Sequence, residues 1–242
     1  MSDQEKLYSI WVYLQAEPLF WLTLTIGAYL IGDFCYKKSN LFPLLNPVAV
    51  SVLLVGGVLF FLEIEYERYF DGAQFIHFLL GPATVSLAIP IYKKWAIITE
   101  NTKSILVSVF FGSFFAILIT YLLSKFLRLE DDIILSLMPR SVTAPIAMGI
   151  SDLIGGIPSM TAIITILTGI LGAAFGSFTL DLIKIQNKSA RGFALGLASH
   201  GIGTARAMSK DTTAGVFAAV AMGLSGIVTS LLIPLILNVI QI

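Results

Sequence analysis

Long apolar runs separated by short polar stretches set the pattern of this chain. A transmembrane helix needs about 20 consecutive apolar residues to cross the hydrocarbon core of a bilayer. Five continuous runs approach or reach that length, and they predict helices at 19–36, 48–62, 104–123, 157–180 and 216–240. The pattern therefore predicts an all-α polytopic membrane protein.

Three further apolar segments, 73–92, 133–151 and 192–208, are interrupted by helix-breaking residues. The breakers are Gly81-Pro82 with Pro90, Pro139 with Pro145, and Gly201 with Gly203. Proline removes a backbone donor, and glycine weakens a helix by about 1 kcal/mol relative to alanine. We expect discontinuous helices or re-entrant hairpins here. With the continuous runs they make about 7–8 transmembrane or re-entrant segments, a transporter-like arrangement that is compatible with inverted repeats.

The segments are expected to form a single integral membrane domain, 1–242. Residues 1–18 are a lead-in, and the i, i+3, i+4, i+7 spacing of Leu7, Ile10, Trp11 and Leu14 also fits a helix on the membrane surface. Residues 19–127 contain the regular spans and the broken segment 73–92. Residues 128–242 form a motif-rich half with the broken segments 133–151 and 192–208.

Composition supports the membrane assignment. Of the 242 residues, 57% are hydrophobic and 12% are charged, whereas soluble domains carry about 25% charged residues. The net charge of zero gives no reason to expect a nucleic acid partner. With one cysteine and two histidines, we expect no disulfide, no metal site and no cofactor, and no signature of an enzyme is present.

Loop charges give a partial topology. Lys37-Lys38 and Lys93-Lys94 mark cytoplasmic loops, whereas Glu63 and Glu65 mark an outward one. The basic loop around Lys184 would lie outside if 104–123, 133–151 and 157–180 all crossed the membrane. We therefore favour 133–151 as a re-entrant hairpin, and 192–208 can be a second one from the opposite face.

Arg140 lies inside an apolar, proline-marked stretch. A charged residue at bilayer depth costs roughly 3 kcal/mol or more and normally faces a cavity or a partner. The arginine fork suits a carboxylate, and Ser141 and Thr143 follow with hydroxyl groups. We expect a carboxylate cradle. The alternative is a structural pair with Asp152, or a side chain that reaches an interface.

The third broken segment carries a second polar group. Its candidate substrate-binding residues are Ser199, His200, Gly201, Gly203, Thr204 and Arg206. His200 titrates near neutral pH and could relay a proton, although a lone membrane histidine is more often an interhelical hydrogen bonder. Arg206 is followed by Lys210 and Asp211, so it could instead end a span at the cytoplasmic face. The glycines would let the backbone approach a ligand closely.

These motifs together resemble the LrgB/CidB family, and the likeness covers the chain from about residue 46 onward. The matching stretches are 80–85, 138–148, 155–159, 190–192 and 198–206. The resemblance implies one of two functions. Bacterial members are described as modulators of murein hydrolase export and autolysis that act with a small holin-like partner of the LrgA/CidA type. Plant members are plastid glycolate/glycerate translocators, and some bacterial pairs are associated with pyruvate uptake.

Transport fits the residues better than a holin, because a lesion needs no buried arginine, histidine and paired helix breaks. We expect a multi-pass protein of the bacterial inner (cytoplasmic) membrane, dimeric, surrounded by lipid, that carries a small carboxylate anion, with a proton or sodium as coupling ion or with none. Arg140 would hold the carboxylate, and Ser141, Thr143, Ser199 and Thr204 would bond its other oxygens. Arg206 would hold the same anion or attract it at the inner mouth.

Overall fold

The computed structural model describes residues 18–39, 42 and 45–240, and over that part of the chain it is all-helical. The expected surface helix at 7–14 lies outside the described residues. The eleven described helices are α1 Pro18–Lys38, α2 Pro47–Phe61, α3 Tyr66–Ser86, α4 Ala88–Lys93, α5 Trp95–Glu100, α6 Thr102–Phe126, α7 Asp131–Leu137, α8 Ala144–Ile154, α9 Pro158–Leu182, α10 Lys188–Lys210 and α11 Thr212–Ile240. The chain divides into two compact units, Met1–Ser86 and Leu87–Ile242.

Among the described residues, four helices are long and apolar enough to cross a membrane: α1, α6, α9 and α11. They confirm the predictions at 19–36, 104–123, 157–180 and 216–240, and the chain is a multi-pass membrane protein. Helix α2 is apolar but has only 15 residues, about 22 Å at 1.5 Å per residue. The total of 7–8 segments and the single domain stay predictions.

The first unit is built from α1, α2 and α3. Trp21 of α1 is 1% exposed, and its helix neighbour Thr25 bonds Tyr69 of α3 through the two hydroxyl groups at 3.0 Å. Helix α3 runs through Pro82 without ending. The break predicted at Gly81-Pro82 was therefore wrong: one proline removes one hydrogen bond, and the helix continues on either side.

The other proline of the predicted segment 73–92 lies in the second unit. Pro90 is the third residue of α4, in the first helical turn, where a backbone N–H has no partner inside the helix and a proline costs little. The interruption predicted within 73–92 is therefore present, but it lies at Leu87, between α3 and α4, and not at Gly81-Pro82. Ser86, the last residue of α3, is the residue whose carbonyl Pro90 cannot bond.

Helix α11 is the buried centre of the second unit. It packs along α10 and also contacts α4, α6 and α8. At one end Val216, Phe217 and Ala221 join a core with residues of α5, α6 and α10. At the other end Ile233 and Leu237 join a core with α6, α7 and α8. Small residues allow the closest contact: a Cβ on Gly192 or Gly196 of α10 would overlap backbone of α11.

Candidate functional site

The predicted interruption of 133–151 is confirmed as a six-residue break between α7 and α8. Two short turns cross it, since the Arg140 N–H donates to the Leu137 carbonyl and the Val142 N–H to the Pro139 carbonyl, both at 3.2 Å. Pro145 lies in the first turn of α8, where it favours a helix start. After α8 the chain returns to α7, because Gly156 lies against the Ser136 backbone. We call residues 131–156 the first hairpin.

A buried hydroxyl network fastens the first hairpin to α9, at the place where the last turns of α7 and α8 meet. Ser136 Oγ accepts the Ile157 N–H at 2.7 Å. Thr161 Oγ1 lies 3.0 Å from the Ser136 carbonyl and 2.8 Å from Ser151 Oγ. All three hydroxyl residues are fully buried. The N-cap residue of α9 is Ile157, which makes no side-chain cap hydrogen bond.

Arg140 lies in the turn of the first hairpin, with its side chain half-buried. Its Nε donates to Thr120 Oγ1 of α6 at 3.2 Å. Asp152 is exposed, and within the described part of the chain no ion pair joins it to Arg140. The alternative of a structural Arg140–Asp152 pair therefore has no support in the structure.

Helix α10 contains the second break. Ser199 has φ −131° and ψ 15°, and His200 has φ 41° and ψ −130°, both far from helical values. The interruption predicted for 192–208 is thus confirmed, but its place was wrong: Gly201 and Gly203 lie in the helix after the break. Gly203 still serves a close approach, since a Cβ there would overlap the Leu195 carbonyl before the break.

The two limbs of α10, residues 188–198 and 201–210, run in opposite directions along α11. In the first limb, Gly192 contacts Ala214 and Gly196 contacts Ala218, so this limb runs parallel to α11. The second limb runs antiparallel to α11, because Thr204 Oγ1 lies 3.7 Å from the Met222 sulfur whereas the later residue Met208 contacts the earlier residue Gly215. The free ends of the limbs meet, because Lys188 Nζ lies 2.6 Å from Asp211 Oδ2. We call residues 188–211 the second hairpin.

His200 stands at the tip of the second hairpin and is 5% exposed. Its Nε2 lies 2.9 Å from the Thr165 carbonyl of α9. A carbonyl oxygen only accepts, so Nε2 carries the hydrogen and Nδ1 is the position left for proton uptake. Gly169 leaves the space for the ring, since a Cβ there would lie 2.6 Å from its Cε1. The interhelical hydrogen bonder predicted for His200 is what the structure contains; its role as a proton relay stays a prediction.

A cavity of 470 Å³ brings Arg140 of the first hairpin together with Ser199 of the second. Ser199 is fully buried, and among the described residues its hydroxyl has no hydrogen-bond partner. The remaining wall comes from α9 and the first limb of α10, and consists of Thr168, Leu171, Gly172, Phe175, Gly176, Thr179, Leu180, Ala194, Leu195 and Ala198. The Arg140 side chain thus meets a mostly apolar space, and Ser199 belongs to its wall with a hydroxyl that is packed against Gly172.

The other predicted site residues lie outside the walls of this cavity: Ser141, Thr143, His200, Gly201, Gly203, Thr204 and Arg206. Thr204 is buried and donates to the His200 carbonyl at 2.8 Å. Arg206 is 6% exposed and lies near the middle of the second limb. The Thr143 hydroxyl does not cap α8. The two arginines are therefore not brought into one cavity.

Two residues near the cavity were missed by sequence reasoning, Thr120 and Thr168. A signal existed for the first, because Ser113, Thr120 and Ser124 are the buried polar residues of α6 and recur at spacings that place them on one face. Hydroxyl groups inside a long apolar run are easily read as ordinary helix residues, since each can bond the carbonyl four residues before it.

Comparison with known proteins shows relatives across nearly the whole chain. Bacillus subtilis YwbG is 37% identical over 219 residues, which is 90% of this chain and 96% of the relative. YxaC of the same organism is 34% identical over 215 residues, 89% and 93% of the two chains. Its antiholin-like protein LrgB is 32% identical over 224 residues, 93% and 97%. No solved structure matches. The family model of the LrgB-like family matches residues 25–239, and the chain belongs to this family.

Proposed function

We propose that this protein carries small monocarboxylates of the glycolate, glycerate, lactate or pyruvate class across the membrane. The cavity that joins Arg140 to Ser199 is the observation that carries the proposal. Substrate sites of carriers are typically formed where discontinuous helices meet near the midplane of the bilayer. The proposal needs no metal, no cofactor and no covalent chemistry.

The dimensions of the hairpins support tips near the midplane. Helix α8 has 11 residues, and the limbs of α10 are of similar length. At 1.5 Å per residue such limbs reach about 16 Å, roughly half of the hydrocarbon thickness of about 30 Å. The Lys188–Asp211 pair holds both ends of the second hairpin at one level. On these grounds we propose that both hairpins are re-entrant.

The two polar groups of the cavity match the two ends of a small hydroxy or oxo acid. Arginine stays charged at physiological pH and offers parallel N–H donors to both carboxylate oxygens. The Ser199 hydroxyl is buried against Gly172 and has no partner in the described residues. In our proposal it bonds a 2-hydroxyl or keto oxygen once the second hairpin moves away from α9. In our proposal, access alternates as the hairpins move against α9, and the remaining spans form the scaffold and the dimer contact.

A second candidate function is a holin-like or antiholin role in autolysis with a small LrgA/CidA-type membrane partner. It is favoured by one specific finding, a relative that covers nearly the whole chain and is named an antiholin-like protein. The names of relatives support this candidate more directly than transport, whereas the cavity chemistry supports transport. In both proposals the site of action is the bacterial inner membrane.

Uptake into proteoliposomes separates the two candidates. Purified protein is reconstituted alone and with a small LrgA/CidA-type protein, and labelled glycolate and pyruvate are offered with and without proton or sodium gradients. A carrier gives saturable uptake that other small 2-hydroxy and 2-oxo acids compete. Leakage of an unrelated dye and of ions without saturation would support the holin-like candidate instead. Stimulation by one gradient would identify the coupling ion.

Arg140→Ala is the decisive variant for the transport proposal. Losing a charge-assisted contact to the substrate costs about 3 kcal/mol, so uptake should fall by about 100-fold. Arg140→Lys keeps the charge without the forked pair of donors, so its uptake should lie between that of Arg140→Ala and that of the unchanged protein. Asp152→Ala is the matched control in the same hairpin, because Asp152 is exposed and not paired with Arg140. Full uptake in Arg140→Ala would remove Arg140 from the site.

A further inference from the structure

We propose that Thr120 of α6 is a positioning residue that decides which edge of the Arg140 guanidinium faces the substrate. The inference rests on the proposed transport function and names a residue outside both hairpins. The hydrogen bond from Arg140 Nε to Thr120 Oγ1, at 3.2 Å, is its starting point.

Thr120 is built to accept rather than to donate at this contact. Its own hydroxyl hydrogen is directed at the Ala116 carbonyl one helical turn earlier, at 2.7 Å. The lone pairs of Oγ1 are thereby left for the Arg140 N–H. Thr120 is 5% exposed, so water does not compete freely for the same position.

The contact occupies one edge of the guanidinium and leaves the other. A guanidinium can bind a carboxylate through its Nε and one Nη, or through both Nη atoms. Nε is committed to Thr120, and within the described residues the side chain of Arg140 makes no other hydrogen bond to protein. The pair of Nη groups is therefore the edge available for a carboxylate.

Apolar packing holds α6 against the turn that carries Arg140, in addition to the hydrogen bond between Arg140 and Thr120. Ile117, one turn before Thr120, is 2% exposed and belongs to a core with Met138 and Val142, which flank Arg140 in the chain. Helix α6 and the turn of the first hairpin are thus held together on both sides of the hydrogen bond. A guanidinium fixed in this way loses less side-chain freedom when the substrate binds.

The test is the KM for uptake in proteoliposomes. Thr120→Val keeps the volume and removes the acceptor, and we expect KM to rise about tenfold with kcat changed less than twofold. Thr120→Ser keeps the hydroxyl and should restore KM to within twofold of the unchanged protein. Ser113→Ala is the matched control, since Ser113 is buried on the same helix and its hydroxyl bonds nothing in the described residues.

A double-mutant cycle with Arg140→Lys separates positioning from general packing. Lysine has a single ammonium and no edge to select, so adding Thr120→Val to Arg140→Lys should change KM less than twofold. A tenfold further rise in that background would overturn the inference, and so would an unchanged KM in Thr120→Val. Thr120→Ala gives the same readout if the valine protein does not accumulate.

The two proposals fail in different ways. If the unchanged protein shows no saturable uptake, the transport function itself fails and the inference falls with it. If uptake is saturable and depends on Arg140, yet KM is the same in Thr120→Val, transport stands and only the role of Thr120 is overturned.

Discussion

The two hairpins place their tips beside one cavity but are built in different ways. The first is broken by a six-residue turn that contains Pro139, and it delivers a charge, Arg140. The second is broken at only two residues, Ser199 and His200, and it delivers an unpartnered hydroxyl. The first break coincides with Pro139, which removes a backbone donor, whereas the second depends on contacts with a neighbouring helix.

The anchoring of the hairpins differs in the same sense. Hydroxyl groups of Ser136, Ser151 and Thr161 fasten the first hairpin to α9. The second hairpin packs against glycines of α9, and the Ser199 side chain and the His200 ring occupy the space that these glycines leave. Hydrogen bonds thus hold the first hairpin against α9, whereas glycines without side chains let the second hairpin pack closely against α9. Each mode of anchoring predicts its own sensitivity to mutation.

The largest effect on folding is expected from filling the space that receives the second hairpin. A Cβ on Gly172 would overlap the Ser199 side chain, whereas a Cβ on Gly149 of the first hairpin has no atom within 4 Å. Gly172→Ala should destabilise the protein by about 3 kcal/mol, an overpacking cost. Gly149→Ala should be neutral or slightly stabilising, because alanine favours a helix. Thermal unfolding in detergent measures both, and equal melting temperatures would contradict the comparison.

Deleting a hydroxyl should act in opposite directions in the two hairpins. Ser136→Ala leaves the Ile157 N–H without its acceptor and removes a hydroxyl from a network of buried groups, which should cost about 2 kcal/mol. Ser199→Ala removes a buried hydroxyl that has no partner in the described residues, so stability should stay equal or rise. The same unfolding measurement applies, and transport should fall in Ser199→Ala. A stability loss as large as that of Ser136→Ala would show that Ser199 is structurally anchored.

Glycine should be better tolerated than alanine at the second tip. His200 has a positive φ of 41°, a conformation that costs a residue with a side chain about 1 kcal/mol or more. Both His200→Gly and His200→Ala lose the ring contact to Thr165, so the glycine variant should be about 1 kcal/mol more stable. Ser141 of the first hairpin is the control, because its φ is not positive. There alanine should be at least as stable as glycine.

The smallest effect is expected at the base of the second hairpin. A hydrogen bond from Lys188 holds the pKa of Asp211 below its ordinary value. A lowered carboxyl pKa contributes stability above the ordinary pKa of about 4, and the contribution is lost as the pH falls below it. Asp211→Asn should therefore lower the melting temperature slightly at pH 7, and the difference from the unchanged protein should shrink below about pH 4. A constant difference would contradict this.

The two breaks show how much of the local structure the sequence predicts. Proline and arginine in 137–145 indicated both the break and the candidate ligand, because proline cannot donate and an arginine in an apolar run needs a reason. The break in α10 was placed at Gly201 and Gly203, but it lies at Ser199 and His200. Glycine lowers helix stability without ending a helix, and the strained His200 backbone is compensated by the bond to Thr165. Pro82 likewise failed to end a helix.

By itself the sequence determined the membrane class, the four long spans, the presence of the three interruptions and the family, because these follow from runs of apolar residues and from short local motifs. Only the tertiary structure decided which polar residues meet. It placed Arg140 and Ser199 in the wall of one cavity and Arg206 outside that wall. It also brought Thr120 of α6 within hydrogen-bond distance of Arg140. Such pairings depend on how helices distant in the chain pack, and on where glycines let them approach, and neither is a property of a local segment.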